Sequence, residues 1–508
     1  MRPQSTAQPT QMSPSPNQTS GPPELWTPAG QAFQPTNAAP PPDLLARPPV
    51  IATPPSQYIP QPIPLQPAIP YTPKRGVSRR TIILGLAGLV VAGGGIAWFS
   101  ASHGLVSSPT NNSSASSSPG GIKAGPGVDL ATKTINLGIL SPFSGPVAAP
   151  IGDPLARGVE VFFKSVNDHG GIDGFKVNLI EKDSQYNPQL EVQLYNQIHN
   201  QVLMIADSLG TPTTFAIKDL AAQDHMLVSG ATLSSALARE KYLVLVGTPY
   251  RLQVENAFDY VVNKLGVKNP ATGIIYQNDD YGQDGLTGYK EAVSVYGLHD
   301  VGQASYAVTD TDFTAQVSQM KAAGAKYVFL TTLPTVTAKI IGTAAALGYN
   351  PQWILQSPAF STLLLGVPSL VPLLSKAWIV NQGATWGDKS KPGMAQMLAD
   401  VAKYAPDQKP DAFFEFGYTE SKITYAILKK AADNGDLTRD GVFNAFESLK
   451  NVDLGGLLPP VTYGSSSSGN NRVPTRDSVV YQIDPSQPTS IRALSDDFVG
   501  TAAMKSQF

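Results

Sequence analysis

The chain has 508 residues, a formal net charge of -2 and only 15% charged side chains, which excludes the basic footprint of a nucleic-acid-binding protein. It contains no cysteine, so disulfide scaffolds, thiol nucleophiles, thiolate metal sites and lipid attachment through an N-terminal Cys are excluded as well. The five histidines (His103, His169, His199, His225 and His299) never fall at a ligand spacing, and neither a metal nor a cofactor is expected.

Residues 1–73 hold twenty-one of the 45 prolines and only four charges, Arg2, Glu24, Asp43 and Arg47. Proline supplies no N–H to a helix or a sheet, and the apolar residues are too few to offset chain entropy, so this stretch predicts a disordered tail. A docking segment for proline-binding modules is the functional alternative. Residues 74–102 follow as a basic flank and an apolar segment. Between Thr81 and Ser102 no residue is charged, and at about 1.5 Å per residue this length spans a hydrocarbon layer of roughly 30 Å. Lys74, Arg75, Arg79 and Arg80 precede the segment, and the next basic residue after it is Lys123. The positive-inside rule therefore predicts a single-pass membrane anchor with a cytosolic tail and an extracytoplasmic C-terminal part. Two other readings stay open: a cleaved signal peptide, and a twin-arginine export signal at Ser78–Ile83. Residues 103–133, Ser- and Gly-rich from Ser107 to Gly127, read as a tether reaching some ~25 Å.

From Thr134 to about Asp497 strand and helix patterns alternate. Ile135–Leu140 predicts a strand. Leu155, Val159, Phe162, Phe163 and Val166 then lie on one helical face that stops at the glycines after His169. A strand at 176–180 and a helix at 189–200 come next. Further strands are predicted at Val202–Ile205, Met226–Val228, Thr272–Tyr276, Tyr327–Thr331, Trp353–Gln356 and Ala377–Val380. Helices are predicted at Phe215–Gln223, Asp284–Tyr296, Asp312–Ala323 and Thr337–Leu347. This rhythm is that of an α/β protein with parallel sheets, in which ligands bind beyond the carboxyl ends of the strands.

The loops at those ends are polar and glycine-containing. Ser141–Pro146 follows the first strand. Leu209–Thr214 leads into a helix, and Thr211, Thr213 and Thr214 set hydroxyls beside free N–H groups that suit a carboxylate; a capping role is the plainer reading for any one of them. Ser229, Gly230, Ala231 and Thr232 form another small loop. Asn278–Gly282 offers Tyr281 as an aromatic lid, with Asp279 or Asp280 as helix N-cap or as a site carboxylate. No histidine lies in these loops, and neither a nucleophile elbow nor a phosphate-binding glycine motif occurs, so no catalytic residue is assigned.

The order and spacing of Gly138–Pro146, Gly152-Asp153, Asn167–Gly174, Asp183 with Asn187-Pro188, Ser229–Thr232 and Asp280-Tyr281-Gly282 with Gly285 resemble the periplasmic solute-binding proteins of branched-chain amino acid uptake. That resemblance covers about Thr134 to Pro485. It implies a type I periplasmic-binding-protein fold of two lobes, each a parallel sheet flanked by helices, joined by three crossovers. One lobe would take 134–250 and 380–475, the other 251–379 and 476–497. It further implies a small-molecule solute, an amino acid or an analogue, passed to the permease and ATPase subunits of an ABC importer. Thr211 would hold the ligand carboxylate, Gly230 and Thr232 its ammonium, and Tyr281 would close over it. Ser357 stands where amino-acid-binding members carry an acid, and Ile151 where some carry an aromatic. A lost charged hydrogen bond costs about 1.5–3 kcal/mol. Either another acid, such as Asp279 or Asp280, replaces that partner, or the ligand is an amide, a short carboxylate or an aromatic acid rather than an α-amino acid. A ligand-sensing ectodomain and, further off, an enzyme are the alternatives to solute capture.

Overall fold

A computed structural model describes residues 121–508. The Pro-rich tail, the basic flank, the apolar segment 81–102 and the start of the tether lie outside the described residues. Among the described residues no helix is long and apolar enough to cross a membrane.

The first lobe opens with two short strands, β1 (Lys123–Ala124) and β2 (Val128–Asp129), within the stretch read from sequence as linker. They belong to the fold because β2 pairs antiparallel with the start of the next strand, and β1 pairs with a strand more than 300 residues later. There follow β3 (Thr134–Ser141), α1 (Asp153–Asp168), β4 (Lys176–Asp183), α2 (Pro188–Ile198), β5 (Met204–Leu209), α3 (Thr211–Gln223), β6 (Val228–Ala231) and β7 (Leu243–Val244). The chain then crosses to the second lobe: α4 (Tyr250–Asp259), β8 (Ala271–Gln277), α5 (Asp280–Tyr296), β9 (His299–Tyr306), α6 (Thr314–Ala322), β10 (Tyr327–Thr331), α7 (Pro334–Ala346), β11 (Gln352–Leu355), α8 (Val371–Leu374) and β12 (Trp378–Asn381). It returns for α9 (Pro392–Tyr404), α10 (Ala412–Asp433), β13 (Asp436–Leu437) and α11 (Arg439–Ser448), and crosses a third time to β14 (Val479–Ile483), β15 (Ile491–Ala493) and α12 (Thr501–Lys505).

The first sheet runs parallel through β4, β3, β5, β6 and β7, with β2 an antiparallel addition. The second has the order β15-β14-β12-β11-β10-β8-β9. Its strands β8 to β12 are parallel, but β14 and β15 pair antiparallel, so the sheets are parallel-rich rather than wholly parallel as expected. The crossing into β14 carries only the short 3-10 turn Gly469–Arg472 rather than an α-helix that would return the chain to the same end of the sheet, and the loop 484–490 before β15 reverses it again. Ile274, Phe329 and Ile354 are buried on one face of this sheet and Ile275, Leu330 and Leu355 on the other. Burial on both faces is why these strands read as continuous apolar runs.

In the first lobe, α1 buries Leu155, Val159, Phe162 and Phe163 against α10. The two helices touch through glycines. A Cβ on Gly158 would meet the Phe414 carbonyl oxygen at 2.2 Å, and one on Gly417 that of Leu155 at 2.1 Å. Beneath them lies a buried acidic group. Asp207, in the middle of β5, has neither carboxylate oxygen hydrogen-bonded, and Glu420 of α10 accepts a bond from the Ser229 hydroxyl at 2.7 Å. On the opposite face Glu191 accepts from Ser208 at 2.8 Å. Burial raises all three acids, Glu191 to about 8, with mutual repulsion adding to the rise at Glu420 and Glu191. These polar residues also explain why β5 extends to Leu209, past its expected end at Ile205.

Candidate ligand-binding site

The carboxyl ends of β3, β5 and β6 face those of β8, β10 and β11 across a cleft that encloses a cavity of about 150 Å³. Its walls are largely apolar. Ile151, Leu155, Leu209, Leu233, Val246 and Leu457 line it from the first lobe, and Leu333, Phe360, Ile379 and Ile491 from the second.

One polar pole sits at the start of α3. Gly210 adopts φ 109°, and a Cβ there would lie 2.4 Å from the ring of Tyr186, so the turn requires glycine. The turn delivers Thr211 as the first helical residue. Its hydroxyl lies 2.6 Å from that of Thr232, both side chains are buried, and both line the cavity. The Thr232 oxygen also accepts from the Ser234 N–H at 3.2 Å. Paired hydroxyls beside unfilled N–H groups of a helix N-terminus suit a carboxylate or a neutral acceptor.

The other sequence-predicted residues divide. Tyr281 lines the cavity at 2% exposure, donates from its hydroxyl to the Thr332 carbonyl at 3.0 Å, and meets the ring of Tyr250 edge-on at 4.8 Å. Ser357 lines it too, its N–H donating to the Gln253 side chain at 3.2 Å. Thr213 does not line the cavity, because its hydroxyl bonds back to the carbonyls of Leu209 and Gly210 at 2.6 and 2.9 Å. Gly230 lies behind the wall among the side chains of Thr214, Thr232 and Leu237. Neither Asp279 nor Asp280 lines the cavity; Asp279 caps α5, accepting from the Gly282 N–H at 3.1 Å.

Sequence reading missed several lining residues. Tyr186 enters the cleft from a loop in which Gln185 and Tyr186 both take left-handed conformations, φ 53° and 56°. The signal available was Asn187-Pro188, which marks the start of α2, where the Asn187 side chain accepts from the N–H groups of Gln189 and Leu190. Tyr250, Trp386 and the first turn of α10 were missed as well. That turn contributes Asp411 and Glu415, the acids on the cavity wall, which carries no Lys, Arg or His. Burial, and then the nearby Asp411, push Glu415 up to about 8; burial raises Asp411 to about 6 against the N–H groups of Phe414 and Phe413 that it accepts.

The two lobes are also tied at the rim. Asp284 of α5 accepts from the Ser235 N–H at 2.9 Å and from the Ser235 hydroxyl, across the cleft, and from the Arg251 N–H at 3.3 Å within its own lobe. Among the described residues no grouping of three or more His, Asp or Glu could hold a metal ion.

A family profile described as periplasmic binding protein matches residues 134–488. A solved fatty acid ABC transporter substrate-binding protein from Thermomonospora curvata is 28% identical and superposes with a TM-score of 0.70 over 77% of this chain and 98% of its own. The Leu/Ile/Val-binding protein homolog 3 of Brucella melitensis is 28% identical over 38% of this chain, and the chain spans only 53% of that relative's length. The Leu/Ile/Val-binding protein BraC3 of Rhizobium johnstonii is 23% identical over 66% of this chain and 89% of its own. With its two-lobed fold, its interlobe cleft and a profile match over most of the described chain, this protein belongs to the periplasmic binding protein family, a family of solute-binding proteins rather than of enzymes.

Proposed function

We propose that this protein is the extracytoplasmic substrate-binding component of an ABC importer. It captures a small molecule that offers a carboxylate or similar acceptor to Thr211 and Thr232 and lays an apolar body along the cleft. The observation that carries this reading is the pair of converging hydroxyls at the α3 N-terminus, set in a cavity whose walls are largely apolar. Tyr281 and Ser357 would contact the ligand, whereas Thr213 and Gly230 would shape the wall. The likeness to the Thermomonospora fatty acid ABC transporter substrate-binding protein supports an apolar ligand body more than the likeness to the Brucella and Rhizobium Leu/Ile/Val-binding proteins supports leucine, isoleucine or valine. The absence of an acid at Ser357 points the same way.

Capture would proceed by lobe closure, with the Asp284–Ser235 contact holding the closed form, and the loaded protein would deliver its solute to permease and ATPase subunits. Residues 81–102 would anchor the chain, keeping the tail before Lys74 in the cytosol. A thermal-shift screen of the chain against amino acids, amides, fatty acids and aromatic acids tests the ligand class. A ligand at a hundred times its Kd stabilises a fold by ~2.7 kcal/mol, and the strongest shift is expected from a carboxylate that carries an apolar chain rather than from an α-amino acid. Stabilisation by leucine beyond that of every other acid would reject the apolar-acid assignment, and hits insensitive to Thr211→Val and Thr232→Val would reject the site.

A further inference from the structure

The cleft has a second polar pole, and it is opposite in character to the first. The Thr211–Thr232 pole offers hydroxyls and a helix N-terminus, which favour an acceptor or an anion. The other pole, on the first turn of α10, offers two carboxyl groups, Asp411 and Glu415. Asp411 has a structural task, accepting from the Phe413 and Phe414 N–H groups at 2.9 and 3.1 Å as the N-cap of α10. Glu415 has none. No group among the described residues hydrogen-bonds to its carboxyl, and no Lys, Arg or His on the cavity wall balances its charge.

The same cavity wall carries aromatic residues: Phe413 and Phe416 of α10, Trp386 from the second crossover, whose ring meets that of Phe414 at 5.5 Å, and Tyr481 of β14. An unpaired carboxyl facing an apolar cavity has two ways to avoid an uncompensated charge: it keeps its proton, or it meets a cation. The aromatic faces add attraction for a cation and none for an anion.

Resting on the solute-binding reading above, we propose that the Glu415 pole is an amine subsite, and that the preferred solute is an extended zwitterion whose ammonium is separated from its carboxylate by an apolar spacer. The carboxylate binds at Thr211 and Thr232, the spacer crosses the leucine- and isoleucine-lined cavity, and the ammonium enters the Trp386–Phe413–Phe416–Tyr481 surround and meets Glu415. An α-amino acid, with both charged groups on one carbon, is not expected to serve both poles. This accounts for the missing acid at Ser357: the counter-charge has moved to the opposite end of the ligand.

The test is isothermal titration of the full-length chain with two matched series, plain straight-chain carboxylates and ω-amino carboxylates of four to eight carbons. At the best length the amino compound is expected to bind at least tenfold tighter than its plain counterpart, and Glu415→Gln should shrink that ratio to about twofold or less. Glu415→Asp, which keeps the charge on a shorter stem, should retain part of the preference. Plain carboxylates that bind as well as or better than the amino compounds at every length, with affinity still dependent on Thr211, would overturn the amine subsite and leave the solute-binding reading intact. A Glu415→Gln variant that weakens both series equally would also overturn it. Failure of both series to bind would overturn both readings.

Discussion

Replacing Asp284 by alanine removes the two hydrogen bonds that Ser235 donates across the cleft and the Arg251 N–H bond inside the second lobe. Under the proposed lobe closure the interlobe pair is made only in the closed form, so its loss should fall on that ligand-retaining state. A hydrogen bond to a charged group contributes about 1.5–3 kcal/mol net. Burial raises the Asp284 pKa and takes back part of the gain, so ~1.5–3 kcal/mol is a fair figure for the pair together. That corresponds to a Kd weaker by roughly ten- to a hundredfold, expressed mainly in faster dissociation. Calorimetry and stopped-flow release should be run with whichever carboxylate stabilises the chain most, and small-angle scattering should show a liganded chain less compact than wild type. Ser235→Ala removes the hydroxyl but keeps the backbone donor, so it should cause a smaller loss, and the double variant should be no weaker than Asp284→Ala alone. Unchanged Kd and unchanged compaction in Asp284→Ala would refute the latch, as would fully additive effects of the two substitutions.

Thr211→Val and Thr232→Val keep shape but remove the paired hydroxyls, and each should weaken carboxylate binding about ten- to a hundredfold by calorimetry; Thr232→Val, which also strands the Ser234 N–H, should lower the unliganded Tm more than Thr211→Val. Gly210→Ala forces a left-handed residue against the Tyr186 ring; a backbone cost of roughly 1–3 kcal/mol plus the clash should lower Tm and abolish binding together. Asp207, Glu420 and Glu191 are raised acids, so the folded state holds protons that the unfolded chain has released. Their stabilising contribution is therefore complete below the ordinary carboxylate pKa near 4 and is lost as pH rises through the folded values, about 8 for Glu191. Scanning calorimetry should find Tm falling from pH 5 to pH 9, and Asp207→Asn should flatten that fall; an unchanged slope would show that the group is not protonated in the fold.

The strand–helix alternation was legible because burial on both sheet faces writes itself as apolar runs, as at Tyr327–Thr331, whose predicted and observed ends coincide. Helix starts were less so. α3 and α7 begin at Thr211 and Pro334, one turn before their apolar periodicity, because prolines in the first turn and small polar residues carry no periodic signal. The Thr211 pole was readable from its loop chemistry, since hydroxyls at the end of a strand and the start of a helix have few other uses. Thr213 carried the same local signature and differs only in the carbonyls within its reach. The Glu415 pole was not readable, because α10 follows the second crossover and only the tertiary path brings its first turn to the cleft.

The glycine contact between α1 and α10 also bears on the order in which the chain can acquire structure. The first lobe is closed by groups such as Ser165 and Asp400, 235 residues apart, whereas the β8–β12 body of the second is held by partners such as Tyr281 and Thr332, 51 apart. Closing the longer loop costs about 1.4 kcal/mol more entropy, and it cannot begin until the distant segment has been synthesised. The β8–β12 body of the second lobe therefore reaches its partners first as the polypeptide emerges, although that lobe too is completed only by β14, β15 and α12, as in the Ser506–Glu255 pair 251 residues apart. Leu155, Val159, Phe162 and Phe163 wait uncovered until α10 arrives, which makes the interval between residues 168 and 412 the period when a nascent chain most needs a chaperone.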